Sequence, residues 1–381
     1  MKLKVHPDEF VVRERADLPS QERGEYRVYL LEKRGWTTED ALQRIAREQG
    51  IPYRLFSYGG KKDRHAHTYQ HVTVRRGAAA PYQESGLNLV PAGWMDRPMG
   101  PDLIRANDFQ MVLRSLSVEE ARLLEVRWRQ LANTGFANYF DDQRFGSQDP
   151  GRGWLAERLL KRQWKGALQV YLLNPAGRRR ELAAYLEKHW GDWKTCLLGA
   201  QRAGERAVLE ALAGDPGGYL RALQAIPARE LSLHFSAYQA FLWNEVLRRY
   251  LSRQAKELWV YPGAAGPYLF NAHPLPGLPD LVLPLPASRA SFADALAGGL
   301  YRDLLSERGL TPGSFNLRRL RQAYFKPLPR PALVWPAGLA LEGPGPDELY
   351  CGRLRAGLTF SLPAGSYGTM LVKALLAQPT P

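Results

Sequence analysis

The stretch Gly59-Gly60-Lys61-Lys62-Asp63-Arg64-His65-Ala66-His67-Thr68-Tyr69-Gln70 gathers most of the side chains in this chain that suit chemistry. It holds one carboxylate, three cations and two histidines behind a glycine pair. These residue types suit three kinds of work. Asp63 can cap a turn or pair with Arg64, a common fate for a lone aspartate. His65 and His67, with His71 and Asp63, can ligate zinc or another transition metal in a hydrolase, because i and i+2 side chains of an extended segment share a face. Lys61, Lys62 and Arg64 oppose that reading, since they repel a dication. In the third reading Asp63, held ionised by the cations around it, is a nucleophile or base acting on an anionic substrate on a basic, RNA-binding surface. The loop alone leaves all three open.

The elements around the loop give it a stiff mounting. Residues 25–31, rich in Tyr, Val and Leu, read as a strand. Thr37 then offers an N-cap with Asp40 in the capping-box position, and Leu42, Ile45 and Ala46 repeat at helical spacing until Gly50. Residues 55–58 and 71–74 read as strands on either side of Asp63. Residues 109–113 suit a strand, and 118–131 suit a helix with Ala121, Leu124, Trp128 and Leu131 on one face. Helices are expected over 153–164, 180–190, 205–212 and 237–251. Dense proline and glycine over 261–286 argue against long helices. An extended run over 358–362 leads to Ser366, expected to cap a last helix through Leu376. Strands at both ends with a helical middle suggest a sheet domain interrupted by an insert.

Composition narrows the classes. A chain of 381 residues predicts two or three domains, and 45% hydrophobic residues is ordinary for a globular protein. The net charge of +14 is not ordinary, and arginine supplies 40 of the 52 cations. Its planar fork matches phosphate oxygens, which points to nucleic acid. Two cysteines, Cys196 and Cys351, make neither a disulfide framework nor a thiolate zinc site, and a reducing compartment fits. The start has no apolar signal region, and no run of eighteen apolar residues occurs, so a cytoplasmic protein with no membrane contact is expected.

Five segments in order resemble the tRNA pseudouridine synthase D (TruD) family. They are Lys4-x-x-Pro7-Asp8-Glu9-Phe10-Val11-Val12-x-Glu14; Gly60-x-Lys62-Asp63-Arg64-x-Ala66-x-Thr68-x-Gln70; Asn138-Tyr139-Phe140-x-x-Gln143-Arg144-Phe145-Gly146; Ser236-Ala237 with Phe241 and Asn244; and Leu362-Pro363-Ala364-Gly365-Ser366-Tyr367. The resemblance implies an α/β (α+β) protein with the pseudouridine synthase fold, a mixed and largely antiparallel sheet flanked by helices. It implies a discontinuous catalytic domain of residues 1–163 and 317–381, an inserted α/β TRUD domain of residues 164–316, and an active site in the cleft between them. Asp63 falls on the family's catalytic aspartate and Lys4 on a basic residue near it. Asn138 and Phe140 fall on residues that position the aspartate and stack on the target base. Read from their type, Arg64 and Arg144 suit either RNA phosphates or local carboxylates, and are expected to help bind RNA. The implied activity is isomerisation of uridine to pseudouridine, at uridine 13 of the tRNA D arm in bacterial members. It needs no cofactor, since nothing is oxidised and no P-loop or dinucleotide fingerprint is present. The implied partner is tRNA, with no obligate protein partner and a monomeric enzyme. Two alternatives stand beside it: a metal-dependent RNA hydrolase using the His65, His67 and His71 cluster, and a non-catalytic tRNA-binding factor.

The chain departs from the family pattern in places. Gly59-Gly60-Lys61 is looser than the usual small-Gly-x, and Ala106 and Ala287 stand where relatives often carry glycine.

Overall fold

The computed structural model describes residues 1–19, 21–174, 180–320 and 322–380. It divides into two compact units, Met1–Phe136 with Val334–Leu376, and Ala137–Leu333 with Ala377–Pro381. The boundaries expected for the insert, 164 and 316, both fall inside the second unit.

The first unit is built on a nine-stranded sheet. Its strands include β1 (Phe10–Ala16), β2 (Tyr26–Arg34), β3 (Phe56–Tyr58), β4 (His67–Arg75), β5 (Tyr82–Glu84), β6 (Leu87–Met95) and β7 (Ile104–Leu116). Strands Leu354–Pro363 and Ala337–Pro346 extend it beyond β7. β1 and β4 run parallel, with Val11 opposite His67 and Arg13 opposite Tyr69. The sheet's other pairings among the described residues are antiparallel. The largely antiparallel sheet read from the resemblance is therefore present.

Helices cover the apolar face of the sheet, while alternate strand residues such as Arg13, Gln110 and Thr359 are exposed on the other. Helix α1 (Thr38–Glu48) starts at Thr37, whose Oγ1 accepts from the Asp40 N–H at 3.0 Å. It lays Ala41, Leu42 and Ile45 on Tyr29, Leu31, Val72, Val74 and Leu89. These apolar positions recur at i, i+3 and i+4 on the helix and at alternate residues on the strands, as two amphipathic surfaces require. Helix α2 (Val118–Thr134) is capped by Ser117, with Glu120 completing a capping box that the sequence reading overlooked. Its buried stripe is Ala121, Leu124, Arg127 and Leu131. Trp128 stays half-exposed, because Arg127 takes the inward position and donates to the Leu375 carbonyl at 3.3 Å. The last helix spans Gly368–Leu376, later than the Ser366 cap predicts. Ser366 instead donates its N–H to the Pro363 carbonyl in the preceding turn.

The second unit is mainly helical. The helix expected over 153–164 is two helices, Leu155–Leu160 and Trp164–Leu173. Arg162 between them takes a left-handed backbone with φ +57°, which ends the first helix. Helices Ala203–Gly214 and Ala228–Gln254 contain two of the other expected ones and Arg180–Lys188 ends short of the third at 190, while Trp193–Leu198, Tyr219–Gln224 and Ala295–Glu307 were not anticipated. The long helix Ala228–Gln254 buries Tyr238, Phe241, Leu242, Trp243, Val246 and Leu247, residues from all round its circumference. Such a helix lies in a core and carries no amphipathic signal. Residues 261–286 hold no helix, as their proline and glycine content predicts. Among the described residues no helix is long and apolar enough to cross a membrane.

Candidate active site

Asp63 lies on the loop between β3 and β4, which pair directly through Phe56 and Val74, Ser57 and Thr73, and Tyr58 and Val72. The loop path is fixed by packing and hydrogen bonds. A β-carbon at Gly59 would come within 2.7 Å of the Gly100 carbonyl oxygen, so glycine is required at this apparently loose position. Gln70 on β4 donates from Nε2 to the Gly60 carbonyl at 3.1 Å and accepts from the Thr38 hydroxyl at 2.7 Å. That hydroxyl oxygen accepts from the Lys62 N–H at 3.0 Å. The loop is thus tied to both β4 and the first turn of α1.

Three lysines of the first unit have three separate tasks. Lys4 forms a close ion pair through Nζ with Asp63 Oδ2, and its Nζ lies 4.4 Å from the centroid of the Phe10 ring. Its backbone is left-handed, with φ +58°. Lys2, just before it, is anchored by paired backbone hydrogen bonds with Arg114 of 2.7 and 2.9 Å. The Asp63 Oδ1 accepts from the His65 N–H at 3.0 Å. Burial works against the charge on Asp63, but Lys4, through its hydrogen bond and charge, together with His65, outweighs it and holds the carboxyl below the usual aspartate range.

Lys33, on β2, is fully buried and donates from Nζ to the carbonyls of Trp36 and Asp63, both at 2.8 Å. Burial pulls its pKa down to about 8, against the raising influence of Asp63. Lys62 points to the buried Glu14, 2.9 Å from Oε2, and to Asn107 Oδ1 at 2.6 Å. Glu14 also accepts from the His71 N–H at 2.9 Å. Burial opposes ionisation of Glu14, and the hydrogen bonds from His71 with the charge of Lys62 overcome it, so its pKa is lowered.

The cations within the loop are therefore not the ones that hold Asp63 ionised. Lys62 serves Glu14, Lys61 pairs with Glu39 at 2.9 Å, and Arg64 donates from Nε to the Gly35 carbonyl at 3.1 Å. The ionising cation, Lys4, comes from the N-terminal segment. Glu14 and Gln70 lie inside the family segments, but their types alone gave them no role. Lys33 gave no signal beyond an unusual lysine in a buried strand.

The histidine cluster does not form. His67 is buried between Asp8, 3.0 Å from Nδ1, and Glu32, 2.8 Å from Nε2. His71 faces Glu14 at 3.6 Å, and His65 is exposed. Among the described residues no group of three His, Cys, Asp or Glu side chains is placed to hold a metal ion. The spacing was compatible with one, but each imidazole on β4 is drawn to a carboxylate of a neighbouring segment.

Within the second unit, Asn138 and Phe140 share one polar scaffold. Asn138 donates its N–H to the Ala332 carbonyl at 2.8 Å and its Nδ2 to the Pro331 carbonyl at 3.1 Å. Arg330 donates to the Asn138 carbonyl from Nε at 2.9 Å and from Nη2 at 2.8 Å, and to Asn138 Oδ1 at 2.9 Å. Asn244, from the long helix, accepts from the Phe140 N–H at 2.9 Å and donates to the Phe140 carbonyl at 2.8 Å. The Phe140 ring stands edge-on to Trp243, and the Arg330 guanidinium lies 4.0 Å from its centroid. Arg330 carried no signal in the sequence; it lies in the short strand Pro329–Pro331. Arg144 lines a cavity of about 490 Å³ with Tyr171, Asn174, Arg202, Glu230 and His234. Its Nε is buried without a hydrogen-bond partner among the described residues.

Comparison with known proteins agrees with the sequence resemblance. The family model described as tRNA pseudouridine synthase D (TruD) matches residues 1–262. The "Probable tRNA pseudouridine synthase D" of Methanopyrus kandleri is 31% identical over 363 residues, covering 93% of this chain and 86% of that protein. The "tRNA pseudouridine synthase D" of Aquifex aeolicus is 27% identical over 392 residues, covering 98% of both. A solved structure from Methanosarcina mazei bearing the same family name shares the fold, with a TM-score of 0.71 over 98% of this chain and 93% of that one, at 22% identity.

Proposed function

This chain belongs to the tRNA pseudouridine synthase D (TruD) family, and we propose that it isomerises uridine 13 of the tRNA D arm to pseudouridine with Asp63 as the catalytic carboxylate. The observation that carries the assignment is the double grip on Asp63: its carboxylate is paired with Lys4, and its own carbonyl is held by the buried Lys33. A carboxylate fixed at both ends is pre-organised, so little ordering is left for the moment of reaction.

The isomerisation breaks the bond from uracil N1 to ribose C1′ and joins C5 to the same carbon. N1 gains a proton and C5 loses one, so the overall formula does not change. An ionised Asp63 can start this by adding to the sugar, adding to the base, or taking a sugar proton, and can later receive the C5 proton. All three routes need the anion that Lys4 maintains. The uridine must leave its stack to reach the carboxylate, at a cost of roughly a few kcal/mol. Phosphate contacts from a chain of net charge +14 offset that cost.

In the same proposal Phe140 stacks on the base, a contact worth roughly 1–3 kcal/mol. The Arg330 guanidinium already lies against its ring at 4.0 Å. Asn138 orients this segment, and Arg64 and Arg144 contact phosphates. Residues 164–316 are the inserted domain; in support, every strand of the nine-stranded sheet comes from outside that span. The protein acts as a cytoplasmic monomer.

The test is incubation of the protein with unmodified tRNA, followed by chemical labelling and primer extension. A single new stop at uridine 13 is expected. Stops elsewhere would overturn the choice of site, and tRNA bound without any new stop would favour a non-catalytic binding factor.

A further inference from the structure

We infer that the second unit carries an RNA-docking depression, built from the turn after helix Leu155–Leu160 and the segment Thr311–Leu320, that takes phosphodiesters on arginine and a base on Trp164. The inference rests on the reading of tRNA as the substrate, and uses none of the residues of the Asp63 loop.

The depression encloses about 780 Å³. Lys161, Arg162, Arg318 and Arg319 line it, and no carboxylate is among the described lining residues. Lys161 is held by Glu157 at 2.8 Å. Arg162, Arg318 and Arg319 are exposed. Two sequence segments far apart thus bring like charges to one concave place, an arrangement that folding alone disfavours and a polyanion relieves.

Three further observations select RNA over a small anion. Half-buried Trp164, the first residue of helix Trp164–Leu173, contributes an aromatic wall, and aromatic rings beside guanidinium groups are the usual means of holding unpaired nucleotides. Thr311, Ser314 and Asn316 supply neutral polar groups suited to ribose and phosphate oxygens. The volume is within the range of organic-ligand sites, more than one phosphate needs. Arg162 adds a signal of its own. Its φ of +57° ends a helix in the conformation where glycine is the low-cost residue, so an arginine is retained there against local backbone preference. Such outliers cluster at functional sites.

Arg162→Gly gives a test in which stability and binding move in opposite directions. Full-length protein is compared with wild type for melting temperature and for binding of unmodified tRNA across a salt series. Glycine should keep or raise Tm, while Kd rises and the slope of log K against log salt shrinks by about 0.7–0.9, one phosphate contact. Adding Arg318→Ala and Arg319→Ala should reduce the slope by about 2–3 and raise Kd at least ~10-fold near 0.15 M salt. Turnover at saturating tRNA should stay within about twofold. Trp164→Ala should weaken binding with no change of slope. A triple variant with wild-type Tm, Kd and slope would overturn the inference. So would polyglutamate displacing bound single-stranded RNA as well as an RNA of equal charge does. If wild type binds tRNA but forms no pseudouridine, the proposed activity fails while the binding comparison still decides this site. If wild type binds no RNA, both fail.

Discussion

The Asp63 loop and the Asn138–Phe140 segment are both fixed in place, but to different effect. Around Asp63 the fixing groups are charged: Lys4 on the carboxylate, Lys33 on the carbonyl, and Lys62 with Glu14 beside them. Around Phe140 the backbone is held by the neutral amide of Asn244, and one guanidinium gathers the acceptors of Asn138. The first arrangement sets a protonation state as well as a position. The second sets only a position, the direction of an aromatic ring. A reacting group needs both kinds of control, whereas a stacking group needs one.

That contrast can be broken experimentally, and the largest effect is expected where one side chain serves many acceptors. Arg330→Met leaves the Asn138 carbonyl and side-chain oxygen without their donor, at a cost of about 3 kcal/mol in urea unfolding. Full retention of stability would mean that the segment is not held by this residue.

Next is Lys33→Met, which frees the Asp63 carbonyl and should lower kcat about 100-fold with KM little changed. The same lysine gives a pH signature. Its folded pKa of about 8 is below its ordinary 10.5, so the folded state carries a penalty for the buried charge at all pH values below about 8. That penalty is relieved as pH rises from about 8 towards 10.5, where the unfolded chain still binds the proton. Tm of wild type relative to Lys33→Met should therefore rise over that window.

Lys4→Met sharpens the electrostatic side. Asp63 titrates below the usual range because Lys4, with His65, outweighs burial, so in the proposed reaction the wild-type acid limb of kcat/KM is expected below that range. Removing Lys4 leaves burial dominant, and the limb should move to higher pH. The stability that the lowered pKa contributes is present above the unfolded value of 3.8 and lost as pH falls through the folded one, and the variant should not show this loss. The smallest effect is expected for Lys61→Ala, since its pair with Glu39 is half-exposed; a change of about 0.5 kcal/mol or less is predicted.

The same contrast explains what the sequence disclosed. Strands β2, β3, β4 and helix α1 announced themselves through alternation, helical spacing and the Thr37 cap, all local signals. The long helix Ala228–Gln254 was recognised only over 237–251; the part before it, residues 228–236, buries only Leu231 and Phe235, too few apolar positions to set a helical phase. In the site, Asp63 stood out as the lone carboxylate of its loop, and Lys4 entered through the family resemblance. Lys33 stayed hidden because its partners are backbone carbonyls, which every residue possesses, and Arg330 because most of its hydrogen bonds go to carbonyls of the same kind. No residue type marks an acceptor of that kind; the pairing appears only once the chain has folded. The histidines misled for a related reason, since their spacing is local while the carboxylates Asp8, Glu14 and Glu32 arrive from other segments.

The most direct measurement of the central claim compares wild type with Asp63→Asn on unmodified tRNA under single-turnover conditions, counting pseudouridine by nucleoside analysis. The amide keeps the shape and the backbone grip of Lys33 but cannot be an anion. Tm and tRNA affinity close to wild type, with conversion slowed by at least ~10³-fold, are predicted. Conversion at the wild-type rate by the asparagine variant would contradict the account.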